Sequence, residues 1–175
     1  MSETFERITP DQVDAQAGHV YRYQLAIDWL DNAKSVVDIA CGVGYGAKIM
    51  ARPDLDYVGV DKIEPDAKYK KYGRWVSGVD LNTYKLDSKF DVAVCFETLE
   101  HLKFPQHLAD ELMANSRTIL VSVPTRPTKH INEYHLHDFT VDDIVAMFDK
   151  VELFYLEDQP EELSHIFVFG TPDAS

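Results

Sequence analysis

Apolar residues along this chain keep two rhythms, short β-branched runs and longer stretches at helical spacing, and the two alternate. Helical spacing runs from about residue 11 to 30. Residues 36–40 and 57–61 then read as strands buried on both faces, because each is short, apolar and β-branched. A helix over roughly 45–51 separates them, and Pro65 stands where the first turn of another short helix would begin. Residues 68–89 are mixed, with a weak strand expected near 74–77. Phe90 to Phe96 is a clearer strand, and Pro105 opens a helix carrying Leu108, Leu112 and Met113 on one side. Residues 118–123 form the next strand, broken by Pro124 and Pro127. Thr140 with Asp143 makes a capping-box pattern, Asp replacing the usual Glu, and predicts a helix to about Phe148. Two last apolar runs, 151–156 and 166–169, flank an acidic loop and are expected to pair as an antiparallel hairpin. The class is α/β.

Within that alternation the stretch VVDIACGVGYG, residues 36–46, is the most informative. A strand ends on an acidic residue and flows into a loop with glycine at every second position. In parallel sheets ligands bind at the carboxyl ends of strands, and Gly42, Gly44 and Gly46 let the backbone turn sharply and approach a ligand there. The following helix presents its free amide groups to the same spot. Tyr57 to Val60 ends on Asp61, about 20 positions beyond the loop, placed to accept both hydroxyls of a ribose. A dinucleotide loop would read Gly-x-Gly-x-x-Gly, with a pyrophosphate on the helix start. Here the glycines alternate and Asp38 precedes them, which suits a cationic amino-acid moiety better. Asp38 as a structural cap of the loop is the alternative.

These residues resemble the class I S-adenosylmethionine-dependent methyltransferases, and the likeness covers nearly the whole chain. HVYRYQLAIDWL resembles the family's entry helix, VVDIACGVGYG its first motif, YVGVD its second and FDVAVCFETLEHL its fourth; SVPT through NEYHLHDFT resembles the link that follows. The resemblance implies a Rossmann-like seven-stranded, mostly parallel sheet with helices on both faces, closed by the carboxyl-terminal hairpin. It also implies a single domain over 1–175, with 1–33 as a helical cap over the acceptor site and 34–175 as the core. Carried over by position, Asp38, Ala40, Gly42 and Gly44 would cradle the methionine part and Asp61 the ribose. Asp80 and Leu81 would lie at the adenine, and Cys41 and Phe96 complete the cofactor-binding set.

Composition agrees with one catalytic domain: 175 residues, 45% hydrophobic, suffice for a core. No apolar run approaches 18 residues and no leader pattern opens the chain, so neither a membrane span nor a secretion signal is expected. Cys41 and Cys95 lack metal-type spacing and read as reduced packing residues, hence a cytoplasmic expectation. The net charge is −13, and from Asp138 onward ten acidic residues face one lysine, Lys150. Such a surface repels polyanions, so an unassisted duplex nucleic acid enzyme is not expected. The basic cluster Lys62, Lys68, Lys70, Lys71 and Arg74 reads as a solvated face.

The fourth motif, FETLEHL, carries the candidate chemistry. Glu97, Glu100 and His101 stand at i, i+3 and i+4, positions that share a helical face if Glu97 opens a helical turn. His135 follows the neighbouring strand and is aligned with the same mouth, His130 and His137 being rivals for its role. Two carboxylates and two imidazoles make a first shell for Mg²⁺, Mn²⁺, Fe²⁺ or Zn²⁺. Glu-x-x-Glu-His with a later His resembles the metal site of enzymes that methylate the 2′-hydroxyl at RNA 3′ ends, and is similar to the ubiquinone-pathway O-methyltransferases. A histidine serving as general base without metal, or a purely structural one, is the alternative. His19 and Tyr23 on the entry helix are candidate acceptor contacts.

The expectation is therefore an S-adenosylmethionine-dependent transferase acting on oxygen of a small molecule or sugar. RNA 3′-end 2′-O-methylation, cofactor binding without transfer, and a nicotinamide oxidoreductase are the other readings. The link before residue 118 lacks the common Pro-Gly-Gly turn and no insertion supplies a lid, so the acceptor pocket is expected to be open or completed by a partner subunit, as in a homodimer.

Overall fold

A computed structural model describes residues 8–13 and 16–171. Seven strands form one sheet: β1 (Ser35–Ile39), β2 (Asp56–Val60), β3 (Arg74–Val76), β4 (Phe90–Phe96), β5 (Ser116–Pro124), β6 (Glu152–Gln159) and β7 (Ser164–Gly170). Their spatial order is β3-β2-β1-β4-β5-β7-β6. The first five run parallel, and β7 is antiparallel to both β5 and β6. The seven-stranded, mostly parallel sheet with its closing hairpin is thus present as expected. Among the described residues four α-helices flank the sheet: α1 (Ala17–Ile27), before β1, and α2 (Tyr45–Met50), α3 (Pro105–Asn115) and α4 (Val141–Met147), between strands.

Alternation along each strand sorts the core into two layers. Val37, Ile39, Ala93, Cys95, Ile119 and Val121 face a layer holding Leu108 and Leu112 of α3 and Ile144 of α4. Val36, Val92, Val94, Leu120 and Val168 face the other, with Tyr23 and Ala26 of α1 and Ala47 and Met50 of α2. The central strands are therefore apolar on both faces, which leaves their carboxyl ends as the place where a ligand of such a sheet binds.

Four local expectations are corrected. The entry helix starts at Ala17 rather than near residue 11; Pro10–Gln12 form a turn and Gln16 accepts no side-chain cap. Residues 14–15 lie outside the described set. Strand β1 stops at Ile39, because Ala40 adopts φ +58° and turns the chain. No α-helix follows Pro65. Asp66 takes the amide of Lys68 on its own side chain at 2.9 Å, and Tyr69 and Tyr72 amides bond three residues back, so the segment tightens into turns and a 3-10 piece at Lys70–Tyr72. Finally, Glu97 opens no α-helical turn: it has φ +46°, and only Leu99–His101 form a 3-10 turn. The capping box at Thr140 and Asp143 is formed in both directions.

Candidate active site

The loop after β1 is built by hydrogen bonds that the sequence makes local. Gly44 reaches back to the Cys41 carbonyl, 3.0 Å, and Cys41 to that of Val60, 3.2 Å. Asp61 holds the loop from the next strand: one oxygen takes the Gly42 amide at 2.8 Å and the other the Ile63 amide at 3.0 Å. A carboxylate accepts about four hydrogen bonds, so Asp61 retains acceptor capacity beyond these two. The three glycines do different work. A Cβ on Gly42 would meet nothing within 4 Å, which leaves the loop open above it. One on Gly44 would strike Trp75 at 2.6 Å, and one on Gly46 would strike the Tyr23 ring at 2.4 Å. Gly46 is thus a packing requirement of α1 against α2.

Asp38 lies beneath that loop, fully buried. Tyr57 donates to one of its oxygens at 2.5 Å and Tyr23 to the other at 3.2 Å. Burial pushes its carboxyl up to about 7, against the two tyrosine hydrogen bonds that favour the charged form. Tyr23 is correspondingly part of the core: it is buried and packs edge-on against Tyr45 and Phe96 at 5.2 Å each. The expected acceptor contact by Tyr23 is therefore corrected, since its hydroxyl is spent on Asp38. Phe96 and Cys41 are buried in the same region, and burial raises the Cys41 thiol. Asp80 is exposed, folding its carboxylate onto Asn82, while Leu81 packs against the α3 layer.

At the end of β4 the residues divide into two groups. Glu97 turns toward α1. Its Oε1 lies 3.5 Å from Arg22 Nη2, its Oε2 accepts from Ser164 at 3.1 Å, and its amide bonds Ser122. Burial raises its carboxyl, with Arg22 acting the other way. Arg22 has no solvent exposure; Gln159 accepts from its Nε at 3.0 Å, and Glu162 lies 3.7 Å from Nη2. Yet Nη1, Nη2 and Glu97 Oε1 are buried without a hydrogen-bond partner. His19, three residues earlier on α1, is pushed down to about 4 by burial and by Arg22, so it is neutral near pH 7.

The second group is Glu100, His101 and His135, whose ligand atoms lie within 4.8 Å of one another. Glu97 is absent from it, which corrects the four-ligand expectation: with φ +46° and no helical continuation, the i, i+3, i+4 face is never formed. Glu100 is buried, and His101 Nε2 faces its Oε1 at 3.7 Å. His101 Nδ1 lies 3.1 Å from the Tyr134 carbonyl. His135 uses Nδ1 on Thr128 at 2.6 Å and Nε2 on Asn132 at 2.9 Å. The segment after β5 is tied to the motif by Leu136 donating to the Glu100 carbonyl at 2.7 Å. Of the rivals, His137 contacts the Leu102 carbonyl, 2.8 Å, and lines a cleft of about 590 Å³ with Gln106 of α3 and Met147 of α4. His130 does not join the cluster.

A family profile described as "Methyltransferase domain" matches residues 12–167. The chain belongs to this family. By family it is a methyltransferase domain, and its fold is that of the class I S-adenosylmethionine-dependent methyltransferases. A probable S-adenosylmethionine-dependent methyltransferase of Mycobacterium tuberculosis is 28% identical over 162 residues, covering 82% of this chain and 58% of the relative. The ubiquinone biosynthesis O-methyltransferase of Azoarcus is 30% identical over 97 residues, covering 47% of this chain and 41% of its own length. Magnesium protoporphyrin IX methyltransferase from Synechocystis, solved with bound S-adenosylhomocysteine, superposes with a TM-score of 0.71 at 18% identity, covering 97% of this chain and 90% of that one. The chain thus spans about half the length of the curated relatives it matches. Among the described residues no helix is long and apolar enough to cross a membrane.

Sequence reasoning passed over Arg22, Gln159, Glu162 and Ser164. Arg22 left a signal: it stands in the stripe Arg22, Tyr23, Ala26, Leu30, where a buried helical face otherwise holds apolar residues. A charge in such a stripe is buried at a cost unless paired, and asks for a partner. The hairpin residues left none.

Proposed function

We propose that this domain transfers the methyl group of S-adenosylmethionine to an oxygen of a small molecule or sugar, with the cofactor's amino-acid end on Arg22 and Glu97. The observation that carries the reading is the buried, oppositely charged pair in which Arg22 Nη1 and Nη2 and Glu97 Oε1 lack hydrogen-bond partners. An α-carboxylate matches Arg22 Nη1 and Nη2, and an α-ammonium matches Glu97 Oε1, so a zwitterion satisfies both at once. Asp61 and the amides around Gly42 then serve the ribose side, and Asp38 supports the loop from below. The cofactor supplies an already activated methyl group; the chain's own residues bind it, exclude water and receive the acceptor's proton. His101 and Glu100 are the groups we assign to that proton, with His19 as a neutral second imidazole on α1. The names of the ubiquinone-pathway relatives support oxygen as the acceptor atom.

Calorimetry with S-adenosylmethionine, S-adenosylhomocysteine and NAD, in EDTA and again with Mg²⁺ or Mn²⁺, tests this reading. Binding of the adenosyl ligands alone is expected; binding of NAD, or of none, would overturn it.

A second reading, cation-assisted transfer, is favoured by the donor set itself. Glu100, His101 and His135 make a two-histidine, one-carboxylate group of the kind that holds Fe²⁺ or Mn²⁺ with open positions. His135 Nε2 would have to leave Asn132 to join it. Metal heat in the calorimeter that disappears in His135→Ala, with cofactor binding intact, is the expected sign. The RNA-end version of this chemistry is disfavoured by the net charge of −13.

A further inference from the structure

Among the described residues, Arg22 is outnumbered by the carboxylates it pairs with. Glu97 Oε1 and Glu162 Oε2 lie 3.5 and 3.7 Å from the same nitrogen, Nη2. Both are held in place. Ser164 fixes Glu97 Oε2 at 3.1 Å, Ser122 fixes the Glu97 backbone, and Glu162 lies against the first turn of α1, where a Cβ on Gly18 would come within 2.4 Å of its carboxylate. His19 supplies no second cation, being neutral at ordinary pH. With both carboxylates ionised, the group carries one negative charge in excess.

The amino-acid end of the methyl donor is a zwitterion with no net charge. Its sulfonium adds one positive charge, and the demethylated product is the same molecule without it. The donor therefore neutralises the excess at this site and the product leaves it standing. Glu162 is the lesser contributor, since its side chain is 39% exposed and screened by water, against 17% for Glu97. Glu97 also stands at the end of β4, the strand paired with β1 and its loop.

We propose that Glu97, the carboxylate in excess over Arg22, selects the cationic methyl donor over its neutral demethylated product and so favours product release. The inference rests on the reading of Arg22 and Glu97 as the anchor of the cofactor's amino-acid end. Catalysis need not be observed to test it.

Dissociation constants for three ligands decide it: S-adenosylmethionine, S-adenosylhomocysteine and sinefungin, whose amine keeps a cation near the sulfonium position. For the unmodified chain the product should bind about tenfold more weakly than the donor, and sinefungin should side with the donor. Glu97→Gln should bring the ratio close to one, while Glu162→Gln should change it by less than about threefold. Equal affinity for donor and product, sinefungin siding with the product, or Glu97→Gln weakening all three ligands by one common factor would overturn the proposal while leaving the anchor reading intact. If neither adenosyl ligand binds the unmodified chain, the anchor reading falls and takes this one with it. Should Glu97→Gln fail to fold, the three-ligand comparison on the unmodified chain stands as the test.

Discussion

The carboxyl ends of β1 and β4 lie side by side, and each turns on a residue in the left-handed region, Ala40 at φ +58° and Glu97 at φ +46°. After β1 the loop is closed upon itself: Asp61 holds two amides, and two tyrosines hold Asp38. After β4 the polar atoms are buried but incomplete, with Arg22 Nη1, Nη2 and Glu97 Oε1 lacking hydrogen bonds. The difference separates a loop whose polar groups are largely paired by folding from a corner that, on the reading proposed above, a ligand completes. A buried polar atom without a partner costs roughly 1–3 kcal/mol, and more when charged. On the reading proposed above, the bound cofactor removes that cost.

The sharpest way to break the comparison is Arg22→Met. It leaves two carboxylates without their buried cation, and losing one partner of a buried pair costs about 3–5 kcal/mol of stability. Cofactor affinity should fall at least about a hundredfold, for two charge-assisted bonds of roughly 1.5–3 kcal/mol each. Urea unfolding and calorimetry measure the two losses separately; intact affinity in a folded Arg22→Met protein would remove the asymmetry described above.

Asp38 sharpens the other side through pH. Its folded value of about 7 lies above the usual 3.8, so the folded state holds a proton that the unfolded state has lost between those values. Stability should therefore fall as pH rises from about 4 to about 7, by up to about 4 kcal/mol, and change little beyond on this account. Glu97, also raised, contributes in the same direction. Unfolding curves for Asp38→Asn across that range should be flatter than those of the parent chain, and parallel curves would show that Asp38 is not the group responsible.

A smaller effect is expected from Asp61→Ala. The Gly42 and Ile63 amides lose their acceptor, costing about 1–3 kcal/mol of stability, and ribose binding weakens with them. Thermal melts with and without S-adenosylhomocysteine separate the two, since the ligand-dependent gain should shrink as well as the baseline. Smallest is Ala40→Gly, which relieves a side chain at φ +58° and should be neutral or stabilise by up to about 1 kcal/mol. A clear loss of melting temperature would mean that the Ala40 methyl packs for more than its strain costs.

Much of this was legible in order of residues. Short apolar runs located the strands, and the box at Thr140 and Asp143 located α4; Asp61 follows β2 as read, but its bond to the Gly42 amide was not foreseen. Misplaced features share one cause: each depended on a choice of backbone angle or on a distant partner. Pro65 promised a helix that the Asp66 side chain undid, and Glu97 promised a helical face that a left-handed turn removed.

By itself, then, the sequence determined the α/β class, the strand positions and the glycine loop at the end of β1, because periodicity, β-branching and glycine act within a few residues. Only the tertiary structure decided which charges meet. Arg22 lies 75 residues from Glu97 and 140 from Glu162 along the chain, and the three converge because α1, the end of β4 and the β6–β7 turn are brought to one corner by the sheet order. Side chains so far apart carry no local signature of their pairing. Their energy comes from shared burial, which exists only once the sheet has closed.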